Sequence, residues 1–349
     1  MSPILRTFLL ACFLYSPVAF SSMEIGVCTH FSWYKNEPEV YLKLIKEYGF
    51  TSFRDDYGWG SIEEQKNNYI VSDRLKKVDY AFMNASKYNL SGMLILAYGN
   101  KNYDSGGYPL SHGAVKAFSS YAAWTASRFK GKVKYYEIWN EWTNGTGVKR
   151  SNRVIPSAED YFNLVRETSI AIKKVDPSAI IIAGGFNSLN GINKKNGLTG
   201  TDWFKILVDK GIMGYIDGVS IHPYSFQLPD VNLKSAAGNI KQIDKFHDYF
   251  QHEYNIDIPV YLTEYGVPVY NGVGGTSASL AAFTIKNYLA EAKKRSYIKG
   301  VWLYDLVDDG PDKSNREHNF GLFMQNLKPK ISALELHKNT RNSVGFYSK

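Results

Sequence analysis

The sequence predicts a (β/α)8 barrel, a ring of eight parallel strands with helices packed outside it. Three observations lead there. Strand-like runs alternate with helical ones eight times, and such alternation sets strands parallel. The strands are apolar almost without interruption, as strands covered on both faces must be. No Gly-rich phosphate fingerprint follows the first strand, which counts against an open doubly wound sheet. Gly184-Gly185 follows the fifth strand and matches no such motif. A chain of 349 residues suits one barrel, and no low-complexity linker or short repeat divides it. One domain is expected over residues 23–349, with the barrel running from Glu24 to about Ala333.

The elements follow in order. Glu24–Phe31 is the first strand. Pro38–Tyr48 is helical because Val40, Leu44, Ile45 and Tyr48 recur at helix spacing, and Gly49 ends it. Phe50–Asp55 is the second strand. Asp73–Tyr88 is a helix on Leu75, Val78, Ala81 and Phe82. Gly92–Tyr98 is the third strand, nearly all apolar, and Ala114–Phe129 the next helix. Val133–Trp139 is a β-prone fourth strand. Ser157 caps a helix through Val175 with Tyr161, Leu164, Val165 and Ile172 on one face, and Asp176-Pro177 breaks it. Ile180–Ala183 is the fifth strand, Thr201–Lys210 a short helix, Asp217–His222 the sixth strand and Ser235–Glu253 a helix. Ile258–Thr263 is the seventh strand, Ser277–Arg295 a strong helix, Lys299–Leu306 the eighth strand and Ile331–His337 the last helix.

Met1–Ser22 reads as a secretory signal. Arg6 is its only charge, Phe8–Tyr15 is a short apolar core, and residues 16–22 supply a break and small side chains. It is short for a transmembrane helix, so an uncleaved anchor is the lesser reading. Leu9-Leu10-Ala11-Cys12 resembles a lipoprotein processing site only faintly. A secreted or periplasmic location is expected, with cleavage near Ser22 and no stable membrane insertion afterwards. Cys12 leaves with the signal, so Cys28 stands alone as a small buried residue and no intrachain disulfide is possible. Lys and Arg number 41 against 33 Asp and Glu, a net charge of +8 that falls to +7 without Arg6. No basic run with interleaved aromatics points to nucleic acid. The 26 Tyr, 19 Phe and 7 Trp suit stacking against sugar rings, and they suit core packing equally.

Working residues of such a barrel collect where strands end at its C-terminal face. Those ends carry His30-Phe31, Arg54-Asp55-Asp56, Asn140-Glu141-Trp142, His222-Pro223-Tyr224, Glu264-Tyr265, and Trp302 with Asp305 further on. Glu141 and Glu264 each end a strand and could flank one bond. Each alone could equally be a solvated loop acid.

At these residues the chain resembles a retaining glycoside hydrolase of the large (β/α)8 clan that holds cellulases, β-mannanases and β-xylosidases. The resemblance implies Glu141 of Asn140-Glu141 as acid/base and Glu264 as nucleophile. It matches Arg54, His222, Tyr224 and Trp302 to the clan's substrate-site positions. The segment Phe53–Glu63, with Trp59, is similar to family 39, the β-xylosidases and bacterial exopolysaccharide hydrolases. Phe320-Gly321-Leu322-Phe323 with Lys328-Pro329-Lys330 is similar to the end of such barrels. The chain lacks room for the xylosidases' added β-domain, which favours the short exopolysaccharide type.

The expected activity is therefore a retaining glycosidase working by double displacement, endo-acting on an exopolysaccharide or plant β-glycan. Glu264 is expected to be held ionised by Arg54 and Tyr224, and Glu141 to be kept protonated by that negative charge. Asn140 would donate to a sugar hydroxyl and Trp302 would floor the subsite of the cleaved sugar. Trp59, Trp142 and Tyr265 are lesser sugar contacts, and His30 a further one. The alternative for Arg54 is a core ion pair with Asp55 or Asp56; for Trp302 it is simple packing. Glu137 is read as buried and paired with a cation, and Glu63, Glu64, Asp308 and Asp309 as loop acids. No histidine shows metal-ligand spacing and no cofactor is called for. A monomer is expected. Gly99–Gly113, Gly185–Gly200 and Asp308–Phe320 are expected to wall the cleft. The other function class is a binding or assembly protein on a hydrolase barrel, which would normally have lost a catalytic carboxylate.

Overall fold

A computed structural model describes residues 23–148, 154–187, 189, 191 and 197–344. The expected signal at residues 1–22 lies outside them. Eight strands close a parallel barrel in chain order: β1 (Glu24–Cys28), β2 (Ser52–Asp56), β3 (Ser91–Leu96), β4 (Tyr135–Ile138), β5 (Ile180–Phe186), β6 (Gly218–Ile221), β7 (Val260–Tyr265) and β8 (Ile298–Leu303). β8 closes on β1 with Val27 opposite Leu303. Among the described residues ten α-helices lie between and after them: α1 (Pro38–Glu47), α2 (Trp59–Ile62), α3 (Lys76–Asn84), α4 (His112–Arg128), α5 (Ala158–Val175), α6 (Gly200–Asp209), α7 (Val231–Lys234), α8 (Ala236–Tyr254), α9 (Ala278–Ala292) and α10 (Ile331–Val344). The barrel expectation holds. The short α2 and α7 were not foreseen, and β5 runs three residues past its expected end, through Gly184 and Gly185.

Helix starts follow the caps. Ser157 and Asp160 form a reciprocal capping box on α5, and Ser111, Ser235 and Ser277 cap α4, α8 and α9. One large core fills the layer between strands and helices. A second cluster joins Cys28, Met93, Tyr135, Ile182, Tyr261 and Trp302. These come from strands all round the ring and can meet only in its interior, as in the filled lumen of such barrels. Gly26 makes this possible, because a Cβ there would sit 2.2 Å from the Trp302 ring. No helix among the described residues is long and apolar enough to cross a membrane.

Candidate active site

Glu141 follows β4 in a left-handed backbone (φ 50°), two residues after Trp139 in the same region (φ 64°). The end of β5 passes close to it. Gly185 has φ 72°, and a Cβ on it would lie 2.8 Å from the Glu141 amide nitrogen, so that position needs glycine. Glu264 is the penultimate residue of β7. One oxygen of each carboxylate and a His222 ring nitrogen all lie within 4.8 Å of one another.

Arg54, buried in β2, organises the floor. Its Nε donates to Glu137 at 2.7 Å, one Nη to Glu264 at 2.8 Å and the other to Asn140 Oδ1 at 2.9 Å. The expectation of a cation for Glu137 is met here; Asp55 and Asp56 are not its partners. Tyr224 donates its hydroxyl to the second oxygen of Glu264 at 2.9 Å. Asn140 is fixed from the far side by donating to the Tyr98 hydroxyl at 3.1 Å.

Glu141 has three neighbours of its own. His222 Nδ1 lies 3.0 Å away, Thr146 Oγ1 donates at 2.7 Å and Asn187 Nδ2 donates at 2.6 Å. Burial alone would raise its pKa; the His222 ring and these two donors outweigh burial and hold it down at about 2. Burial also works against a charged His222, but Glu264 and Glu141 prevail and raise its pKa above the usual 6.5. The expectation that Glu264 keeps Glu141 protonated is therefore corrected. His222 stands between the two carboxylates, 3.0 Å from Glu141 and 3.6 Å from Glu264, and their charges favour its protonated ring.

A cleft of about 680 Å³ opens over this group. Arg54, Asn140, Glu141, Tyr224, Glu264 and His30 line it, so the fold gathers these six predicted residues. His222 joins them as a fully buried member of the site, with Nδ1 3.0 Å from Glu141 and 3.6 Å from Glu264 and Nε2 against Thr263. The remaining predicted residues lie elsewhere. Trp302 lies lower, in the barrel interior, its Nε1 donating to Ser52 at 3.1 Å; the strand-eight aromatic at the cleft is Tyr304. Trp59 is buried, donates to Glu63 at 2.7 Å and stacks on Tyr103. Trp142 is buried among Tyr108, Trp139 and Tyr161, and Tyr265 stacks on Tyr288. None of these rings is placed for sugar contact.

Two of the expected loop acids stand in loops but are buried. Glu63 is buried and accepts from Trp59, Tyr103 and the Asn67 amide. Asp308 is buried and paired with Lys330. Of the three expected walls, those after β5 and β8 supply Asn187, Asp309 and Phe320, whereas Gly99–Gly113 supplies no lining residue. His30 Nδ1 contacts Asp309 at 2.8 Å; burial opposes its charge, and Asp309 and Asp305 overcome this and push its pKa up to about 10. The residues not anticipated are Tyr98, Thr146, Asn187 and Tyr304. Tyr98, Asn187 and Tyr304 all stand within two residues of a strand end, a signal that was available. Thr146 sits in an irregular loop and carried none.

The model of the cellulase family (glycosyl hydrolase family 5) matches residues 16–304. A family 39 glycoside hydrolase from Bacteroides cellulosilyticus WH2 superposes with a TM-score of 0.71 at 22% identity, over 91% of this chain and 63% of that one. The chain thus spans less than two thirds of that structure. Xylanase 10B from Thermotoga maritima gives 0.65 at 14% identity, over 93% of this chain and 97% of that one. A GH5_18 structure from Streptomyces cattleya, in complex with GlcNAc, gives 0.71 at 14% identity, over 92% and 80%. No curated protein matches.

Proposed function

This chain belongs to the cellulase family, glycosyl hydrolase family 5, and is a glycosidase; we propose that it is an exported retaining enzyme, endo-acting on an exopolysaccharide or related β-glycan. One observation carries the retaining mechanism. The two glutamates approach within 4.8 Å, near the 5–5.5 Å separation of retaining enzymes and too close for the intervening water of inverting ones.

Glu264 attacks the anomeric carbon while the leaving oxygen takes a proton from Glu141. Because Glu141 is ionised in the free protein, that proton reaches it from His222 Nδ1. Water, deprotonated by Glu141, then releases the sugar from Glu264. Arg54 holds Glu264 and Asn140 in place throughout. A polymer substrate and internal cleavage are supported by the lining, which includes His30, Trp33 and Tyr304 from the β8–β1 side and Asn187, Phe226 and Gln227 from the β5–β6 side. These residues extend the lining beyond the carboxylate pair. Export is supported by the sequence of residues 1–22.

The test is product stereochemistry. With an aryl glycoside that the wild type accepts, Glu264→Ala plus azide should give an inverted glycosyl azide, and Glu141→Ala plus azide a retained one, read by NMR. Anomers the other way round would reverse the roles. Wild-type activity in both variants would remove the pair from the chemistry and favour a binding protein.

A further inference from the structure

Outside the catalytic pair, one cluster of ionisable groups has no role in this chemistry. His30 follows β1 by two residues; Asp305 and Asp309 follow β8. The Asp305 side chain is fully buried, yet neither of its oxygens has a hydrogen-bond partner. A buried ionised carboxylate is costly unless positive charge meets it. Lys330 and Lys313 are taken by Asp308. His30 Nδ1 points at Asp309 from 2.8 Å and at Asp305 from 3.6 Å. A single N–H there satisfies Asp309 and leaves Asp305 out of hydrogen-bond range.

We propose that His30, Asp305 and Asp309 hold a divalent transition-metal ion of the zinc class at the rim of the cleft. Ligand bonds of about 2.0–2.1 Å in a tetrahedral site set ligand atoms roughly 3.4 Å apart. The observed 2.8 and 3.6 Å bracket that value, and all three ligand atoms lie within 4.8 Å of one another. Two carboxylates and a neutral imidazole carry two negative charges, which a divalent ion cancels. The ion would displace the proton that His30 otherwise shares with Asp309. Calcium asks for six to eight oxygens and magnesium for an octahedron, whereas one imidazole with two carboxylates suits zinc. Trp33 and Tyr304 pack against the His30 ring and fix its direction. His30 and Asp309 line the cleft, so the fourth position opens to substrate, where a sugar oxygen can ligate. The grouping of Glu141, His222 and Glu264 is similar in shape but is accounted for by the glycosidase chemistry.

The experiment is calorimetric titration of the chelator-stripped full chain with zinc chloride, with calcium and magnesium chloride alongside. The variants are Asp309→Asn, His30→Gln and, as a control for the catalytic pair, Glu141→Gln. One zinc per chain is expected in the wild type and in Glu141→Gln, with affinity at least tenfold weaker in the other two. Zinc at a hundredfold excess over Kd should raise the wild-type Tm by roughly 4 °C and leave Asp309→Asn unmoved. Asp309 is partly exposed, so Asp309→Asn tests the site without disturbing the fully buried Asp305. No stoichiometric zinc, equal binding by Asp309→Asn, loss only in Glu141→Gln, or preference for calcium would each overturn the proposal.

Discussion

Replacing Arg54 by Met should cost stability in a calculable amount. Arg54 and Glu137 are both almost wholly inaccessible, and their 2.7 Å contact is one of three that the guanidinium makes. Removing one partner of a buried ion pair costs about 3–5 kcal/mol, because the other charge stays buried without compensation. Glu264 retains Tyr224 and the cleft, so the cost falls chiefly on Glu137, which keeps hydroxyl donors from Ser220 and Thr263 and, beyond hydrogen-bond range, His222 at 3.9 Å. Unfolding entropy near 60 °C is about 2.1 cal/mol/K per residue, or roughly 0.7 kcal/mol/K for a chain of 349 residues. The Tm should therefore fall by roughly 4–7 °C, measured by scanning calorimetry at pH 7. Glu137→Gln in the same background neutralises the orphaned charge and should recover part of that fall. Arg54→Met melting within a degree of wild type would refute the reasoning, and so would a double variant that melts below the sum of the singles.

Three further outcomes follow from the same geometry. His222→Gln should narrow the pH window of stability: the depressed Glu141 contributes above its ordinary 4.5 and loses that as pH falls toward 2, while the raised His222 contributes below 6.5 and loses that as pH climbs through its folded value. The Tm gap between wild type and variant should thus be widest between pH 4.5 and 6.5, in a melting series across pH. Tyr304→Ala should raise KM several-fold with little change in Tm, whereas Trp302→Ala should lower Tm with activity lost only through unfolding, as core truncations cost about 3–5 kcal/mol. Gly185→Ala should cost about 1–3 kcal/mol in denaturant melts and depress kcat, since its methyl meets the backbone of Glu141.

The barrel was legible because its signal is repeated eight times and apolar strands tolerate errors of two or three residues at their ends. Polar strand-end residues were legible for the same reason: Arg54, Asn140, Tyr224 and Glu264 face the cleft by their position on the barrel. The tryptophans were not. Trp302 lies near the end of β8 and Tyr304 just past it, two residues on, so sequence alone does not say which reaches the mouth. That depends on where β8 stands along the barrel axis, and its pairing with β1 places Trp302 opposite Gly26, inside the lumen. Trp59, opening α2, and Trp142, just after β4, turn their rings toward helices, a choice made by packing against Phe118 and Tyr121 of α4 and Tyr161 of α5.

The downward shift of Glu141 departs from the sequence expectation for a related reason. Two carboxylates at close range repel, and the expectation from that alone is that one stays protonated. It fails when a third group enters between them. His222 Nδ1 lies 3.0 Å from Glu141 and 3.6 Å from Glu264, and its Nε2 is 2.9 Å from Thr263 Oγ1. An imidazolium there cancels the repulsion that would have protonated Glu141, so histidine and glutamate titrate as a pair. Thr146 and Asn187 add to the bias by donating to Glu141. A sugar oxygen that displaces either donor removes part of what stabilises the carboxylate. On the proposed mechanism, substrate entry itself then draws the proton from His222 to Glu141, and the acid becomes competent only when a leaving group is present to receive it.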